Sequence, residues 1–173
     1  REDELYICTI SNPRIRLSVC RKMQERGARF ISLVHPTVLL APSSSIGVGC
    51  ILLPYSIVDI NTLVGDFVIF YYRSGIGHNA NVGDCCLLLS NSVVGSRCTI
   101  ERCVTVSTLS FTNTGILVGE YSTIGANSFA AKSVPPYTTA IGVPARHFSI
   151  SRPDSDQSRE LEKEGKIHET VTQ

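Results

Sequence analysis

The chain has 173 residues, a formal net charge of +1, and 18% charged against 43% hydrophobic side chains. That balance argues against an electrostatic nucleic-acid binder, and no apolar run is long enough to span a membrane as a helix. With neither a secretory signal nor a lipidation motif in the sequence, the cytoplasm is the default location and no membrane partner is expected.

In chain order, Leu5 to Ile10 reads as a buried strand. Pro13 then opens a helix whose apolar positions Ile15, Val19 and Met23 recur every four residues, and Gly27 ends it. Phe30 to Val34 returns as a second strand. The result is one βαβ unit over residues 1–35, too small to stand alone. Because the chain starts at Arg1 without a Met, the unit is read as the last piece of an upstream α/β domain that has been cut.

From Leu40 to Ala130 the pattern changes to a period of six. Leu40, Ile46, Leu52, Val58, Val64, Phe70, Ile76, Val82, Leu88, Val94, Ile100 and Val106 are followed in phase by Thr112, Val118, Ile124 and Ala130. Two residues before each falls a second, mostly small slot, as at Cys50, Ser56, Thr62, Ser74, Ala80, Cys86, Ser92 and Cys98. A period of six fits neither a helix nor an alternating strand; it is the mark of a hexapeptide β-helix. Three hexapeptides close one triangular coil of about eighteen residues, aliphatics inward. Coils stack as parallel strands about 4.8 Å apart, so residues eighteen apart stand one above another. Glycine after the aliphatic, as at Gly77 and Gly95, is expected to relieve backbone crowding at the turns. The fold class is therefore mainly β, a parallel β-helix over residues 36–148 preceded by the partial α/β unit.

Seven cysteines suggest a metal site or disulfides, but register assigns Cys50, Cys86 and Cys98 to small inward slots, where cysteine acts as a compact hydrophobe. Cys85 and Cys103 are eighteen apart and should stack, near enough for a bridge, although a reducing compartment favours free thiols. No zinc-type spacing is present, and no metal is expected. Residues 149–173 are charged and poor in large apolar side chains. They read as a mobile polar tail with a transient helix near residues 158–166 and a solvated His168.

His78, in IGHNANVGD, is the one histidine inside the repeat, two residues after the inward Ile76 on an outward turn. A coil gives an outward imidazole no packing task, and its ordinary titration range suits proton transfer near neutral pH. His35, before Pro36, reads as structural, and His147 has no obvious partner. Ser96, Thr114 and Lys132 follow His78 at intervals of eighteen, a column some 14 Å long.

Four stretches carry a resemblance: TISNPRIR with GARFISLVHP, IGHNANVGD, VGEYSTIGANS and IGVPARHF. Over about residues 5–148 the sequence resembles hexapeptide acyltransferases of the sialic-acid O-acetyltransferase and bacillosamine-type N-acetyltransferase family. The resemblance implies a left-handed coil, a homotrimer with active sites in grooves between neighbouring coils, and acetyl-CoA as co-substrate. It makes the first 35 residues the remnant of a nucleotide-sugar-binding domain. It implies an acetyl-CoA-dependent O- or N-acetyltransferase acting on a sugar or nucleotide-sugar, with His78 as general base. Asn79 then stands where the family has Asp or Glu to orient the ring, and Leu87 where some members carry a second histidine. In this picture the Ser96 N–H, after Gly95, stabilises the oxyanion. Thr114 and Ala126 flank pantetheine, and Lys132 and Arg146 meet the CoA phosphates; a solvated lysine is the other reading of Lys132. Asn12 and Arg16 match a polar-plus-arginine pattern for the substrate, Arg16 being otherwise a helix-surface charge. A zinc hydratase on the same coil would need several converging histidines. A degenerate coil that binds nucleotide-sugar without turnover is the second reading.

Overall fold

In the computed structural model, which describes residues 4–149, each hexapeptide contributes one two-residue strand and one turn. The strands form three parallel faces of a prism of about six turns. The first face holds Leu39–Leu40, Ile57–Val58, Gly75–Ile76, Val93–Val94, Phe111–Thr112 and Phe129–Ala130. The second holds Ser45–Ile46, Leu63–Val64, Asn81–Val82, Thr99–Ile100 and Leu117–Val118. The third runs from Leu33–Val34 through Ile51–Leu52, Ile69–Phe70, Leu87–Leu88, Thr105–Val106 and Thr123–Ile124. It closes on an antiparallel pair, Thr138–Gly142 with Ala145–Ser149. Neighbouring strands are in register at intervals of eighteen, as in Gly75 with Ile57 and Val93. Of the expected tail, Ser149 belongs to the last strand, and residues 150–173, with His168, lie outside the described residues.

The inward aliphatics fill the prism; Leu52, Phe70, Ile76, Leu88, Val94 and Ile124 are all buried. The small slots matter for a reason beyond size, because they satisfy main-chain carbonyls. Cys50, Cys86 and Cys98 donate their thiols to the carbonyls of Gly65, Glu101 and Asn113 in the next coil, and Thr62 does the same to Gly77. At another corner Ser56, Ser74 and Ser110 donate to the carbonyl three residues back, whereas the Ser92 hydroxyl finds no partner among the described residues. All seven cysteines are buried and free.

Glycine after the aliphatic relieves backbone crowding between successive coils, as the repeat suggested. The left-handed corners are held mostly by other residues, thirteen of them, including Asn61, Asn79 and Cys103. Gly83 is instead required by close approach: an added Cβ would lie 2.8 Å from the Arg102 N of the next coil.

Strand β1 (Leu5–Tyr6), helix α1 (Pro13–Glu25) and strand β2 (Arg29–Phe30) form the βαβ unit, with β1 and β2 parallel. Asn12 caps the helix, and Gly27 follows it with φ +85°. Phe30 to Val34 is not one strand. Arg29–Phe30 pairs with β1, while Leu33–Val34 pairs with Ile51–Leu52 and begins the coil. Helix α1 packs Leu17 and Cys20 against Phe67, Cys85 and Cys103, a column at one corner of the prism.

The buried thiols make one expectation testable. Burial pushes the Cys50 thiol up to about 11 and the Cys86 thiol up to about 12, against an ordinary value of 9.0. The fold favours the neutral form, so this contribution is complete below pH 9 and is lost as pH rises toward 11–12. The melting temperature should therefore fall between pH 8 and pH 10.5, and fall less in a C50A/C86A variant; equal falls would show that these thiols do not titrate as described.

Candidate active site

The corner between the first and second faces carries His78. Asn79, next to it, sits at φ +58°, a left-handed conformation that asparagine tolerates well. Its carboxamide oxygen lies 2.9 Å from His78 Nδ1. With that oxygen as acceptor, the neutral ring carries its proton on Nδ1 and presents the Nε2 lone pair outward. The residue is half-buried, and Nε2 has no hydrogen-bond partner among the described residues.

The column above His78 has a feature that the sequence analysis passed over. In the four middle coils the outward residue after the inward position on this corner is Asp59, Gly77, Gly95 and Asn113. Asp59 accepts the N–H of Ile60 at 2.7 Å, and Asn113 accepts the N–H of Thr114 at 2.9 Å. Glycine has no side chain with which to do this. The N–H groups of His78 and Ser96 therefore have no hydrogen-bond partner among the described residues. In the sequence this column reads Ala41, Asp59, Gly77, Gly95, Asn113 and Ala131, with glycine only in the coils of His78 and Ser96.

The two glycines also let the coils close up. A Cβ on Gly77 would lie 2.8 Å from Ser96 N and 2.7 Å from Ser96 Oγ. Gly95 N donates to Thr112 Oγ1 at 2.9 Å, so the polar residue in the aliphatic series, which stacks on Val94, holds the residue that precedes Ser96. Two unpaired N–H donors beside an imidazole form a site that can receive a developing negative charge.

Thr114 is exposed in the same column, and Lys132 is exposed where the column ends. Ala126 and Arg146 are not brought to this corner. Ala126 shares its corner with Tyr72 and Ser90 of lower coils, and Arg146 pairs with Ile141, whose side chain lies over Gly125. Within one chain they form a second group, apart from His78. Leu87, the position for a second histidine, is buried on the third face with Ile51 and Ile69.

The two residues assigned to substrate take other parts. Arg16 is fully buried, and its five N–H groups meet five main-chain carbonyls. Nε donates to Phe67 O at 2.9 Å, one terminal nitrogen to Ile10 and Ser11, and the other to Cys85 at 2.7 Å and Cys86 at 3.1 Å. It is neither a surface charge nor free to reach a ligand, because it joins the α/β unit to two coils. Asn12 uses Oδ1 to cap α1, accepting from Arg14 N and Ile15 N, so that oxygen too is committed to the fold.

His35 Nδ1 is 2.9 Å from Thr37 Oγ1, whose oxygen also accepts the N–H of Tyr55, a local brace of the first coil. Among the described residues no group of three or more His, Cys, Asp or Glu could hold a metal ion, and no helix is long and apolar enough to cross a membrane.

No family profile matches the chain. Over 154 residues it is 27% identical to GDP-perosamine N-acetyltransferase of Escherichia coli O157:H7, covering 82% of this chain and 66% of that protein. Over 90 residues, 52% of the chain, it is 27% identical to an acyl-[acyl-carrier-protein]–UDP-N-acetylglucosamine O-acyltransferase of Pseudomonas aeruginosa, spanning 35% of that enzyme. The chain thus spans about a third of the latter and just under two thirds of the former. Among solved structures it resembles PerB from Caulobacter crescentus in complex with CoA and GDP-perosamine. The TM-score is 0.82 at 21% identity, over 84% of this chain and 70% of that one. It also resembles the acetyltransferase domain of PglB from Neisseria gonorrhoeae in complex with acetyl coenzyme A, with a TM-score of 0.79 at 22% identity, over 82% and 69%. The coil therefore has the left-handed parallel β-helix fold of these acetyltransferases.

Proposed function

We propose that the chain catalyses acetyl transfer from acetyl-CoA to an amine or hydroxyl of a sugar or nucleotide-sugar, with His78 as general base. One observation carries the reading: a half-buried ring whose Nε2 makes no hydrogen bond among the described residues lies one coil below an unpaired Ser96 N–H. The names of the similar proteins, which act on or bind nucleotide-sugars and CoA, support the substrate class.

Acetyl-CoA, when bound, supplies an activated thioester. His78 Nε2 accepts the proton of the acceptor group as that group attacks, and Asn79 holds the ring by its Nδ1–H. The Ser96 N–H donates to the negative charge developing on the acyl oxygen. The imidazolium then returns its proton to the departing sulfur, so the ring ends neutral. Thr114 and Lys132 fit the carrier: the column is open, rises about 14 Å, and ends in a cation suited to phosphate. In a homotrimer, the corner with Ala126 and Arg146 of one copy would face the His78 corner of the next and complete the groove.

Calorimetric titration with acetyl-CoA, followed by a free-thiol assay against a panel of nucleotide-linked amino-sugars and sialic acid, tests this. Saturable binding with thiol release on one class of acceptor is expected. Absence of binding heat would instead make the coil a scaffold.

A further inference from the structure

Of the twelve glycines from Gly27 to Gly142, eleven have a local backbone or packing reason to be glycine. Four hold positive φ, as at Gly115, and at seven others an added Cβ would come within 3.0 Å of another atom. Gly75 meets neither condition. Its φ is not left-handed, and a Cβ there would touch only Ile57, at 3.8 Å and 3.9 Å, which is ordinary van der Waals contact. A strand-interior glycine without a backbone reason costs stability and marks a place where something else approaches closely.

The notch has defined walls. Gly75 lies between Ile57 and Val93 in register, and both are exposed, at 43% and 46%. Those walls stand two strand spacings apart, about 9.6 Å, which admits an alkyl chain. The notch is also in the same coil as His78, three residues and no more than about 10 Å along the chain. Across the His78 corner, the second face offers Asn81 and Thr99 at the matching levels, polar groups that would not welcome an alkyl group.

We infer that Gly75 sets acyl-chain specificity, its notch receiving the alkyl tail of a donor longer than acetyl, of three or four carbons. This rests on the acyl-transfer reading, keeps its site and chemistry, and extends its donor from acetyl-CoA to a thioester of three or four carbons. With the acyl carbonyl between His78 Nε2 and the Ser96 N–H, and the carrier running up past Thr114, the substituent on the carbonyl carbon must leave the column sideways. At that level the apolar side is the first face, and the gap in it is Gly75. The transfer itself is unchanged: the acceptor gains the acyl group and loses a proton, and coenzyme A leaves as the thiol.

The test needs no acceptor. Acetyl-CoA and butyryl-CoA are titrated into the wild-type chain and into Gly75→Val, with melting curves and light scattering on both. The wild type should bind butyryl-CoA about ten-fold more tightly, from partial burial of two extra methylenes. Gly75→Val should bring the ratio near one, and a β-branched residue in a strand should leave the melting temperature equal or higher. Equal affinities in the wild type, or a butyryl preference that survives Gly75→Val, would overturn the inference alone. A change of oligomeric state with the ratio unaltered would also overturn it, giving the notch to a second copy. Failure of both thioesters to bind the wild type would bring down the acyl-transfer reading itself.

Discussion

Replacing His78 by alanine should lower acyl transfer by about 10²–10⁴-fold, the usual contribution of a general base, while the melting temperature barely moves. The ring sits half-buried on a turn, and its one side-chain hydrogen bond among the described residues is to the neighbouring Asn79. Asn79→Asp should act in the opposite sense. A carboxylate at the same 2.9 Å position would accept from Nδ1–H and carry a negative charge, and charge-assisted bonds are roughly twice as strong as neutral ones. The imidazolium would gain support, so turnover should rise several-fold, with the acid limb of the pH–rate profile moving to higher pH. Asn79→Ala should lose rate without losing acetyl-CoA affinity, because it removes orientation rather than a ligand. Steady-state kinetics across pH for the three variants decides the matter. Wild-type rates in His78→Ala would remove the imidazole from the chemistry.

Arg16→Met should be the most damaging substitution in the α/β unit. A guanidinium with no carboxylate beside it is held by five carbonyl dipoles, and each is a buried or part-buried acceptor that loses its donor together with the others. Removing one side of such an arrangement costs on the order of 3–5 kcal/mol, which for a domain of this size lowers the melting temperature by about 10 °C. Lysine should not rescue it, since three donors on one nitrogen cannot reach carbonyls on both sides of a planar fork. The loss should also be local. Hydrogen exchange should quicken through α1, while the coil strands, which pair with one another, keep their protection. An unchanged melting curve in Arg16→Met would show that the contacts contribute little.

The repeat was legible because a β-helix imposes one requirement at every sixth residue, and sixteen positions in phase leave no competing period. The inward cysteines followed from the same register, as did the column above His78. What register could not show was the partner of each polar group. Arg16 looks like a surface charge or a ligand because its acceptors lie 51 and 69 residues away, at Phe67 and Cys85. Asn12 looks like a binding residue because a helix cap and a ligand contact use the same carboxamide oxygen. Ala126 and Arg146 entered by resemblance as contacts of the carrier, and eighteen-residue stacking puts Ala126 on a different corner from His78, which is decided once the prism closes.

The sequence by itself thus determined the coil, its inward faces and the outward position of a single imidazole, since periodicity is a local property repeated along the chain. Tertiary structure alone decided which N–H groups stay unpaired, which arginine is sealed, and which glycine leaves a gap. Those outcomes depend on the coil above and the helix alongside, where a donor separated by many residues either arrives or does not.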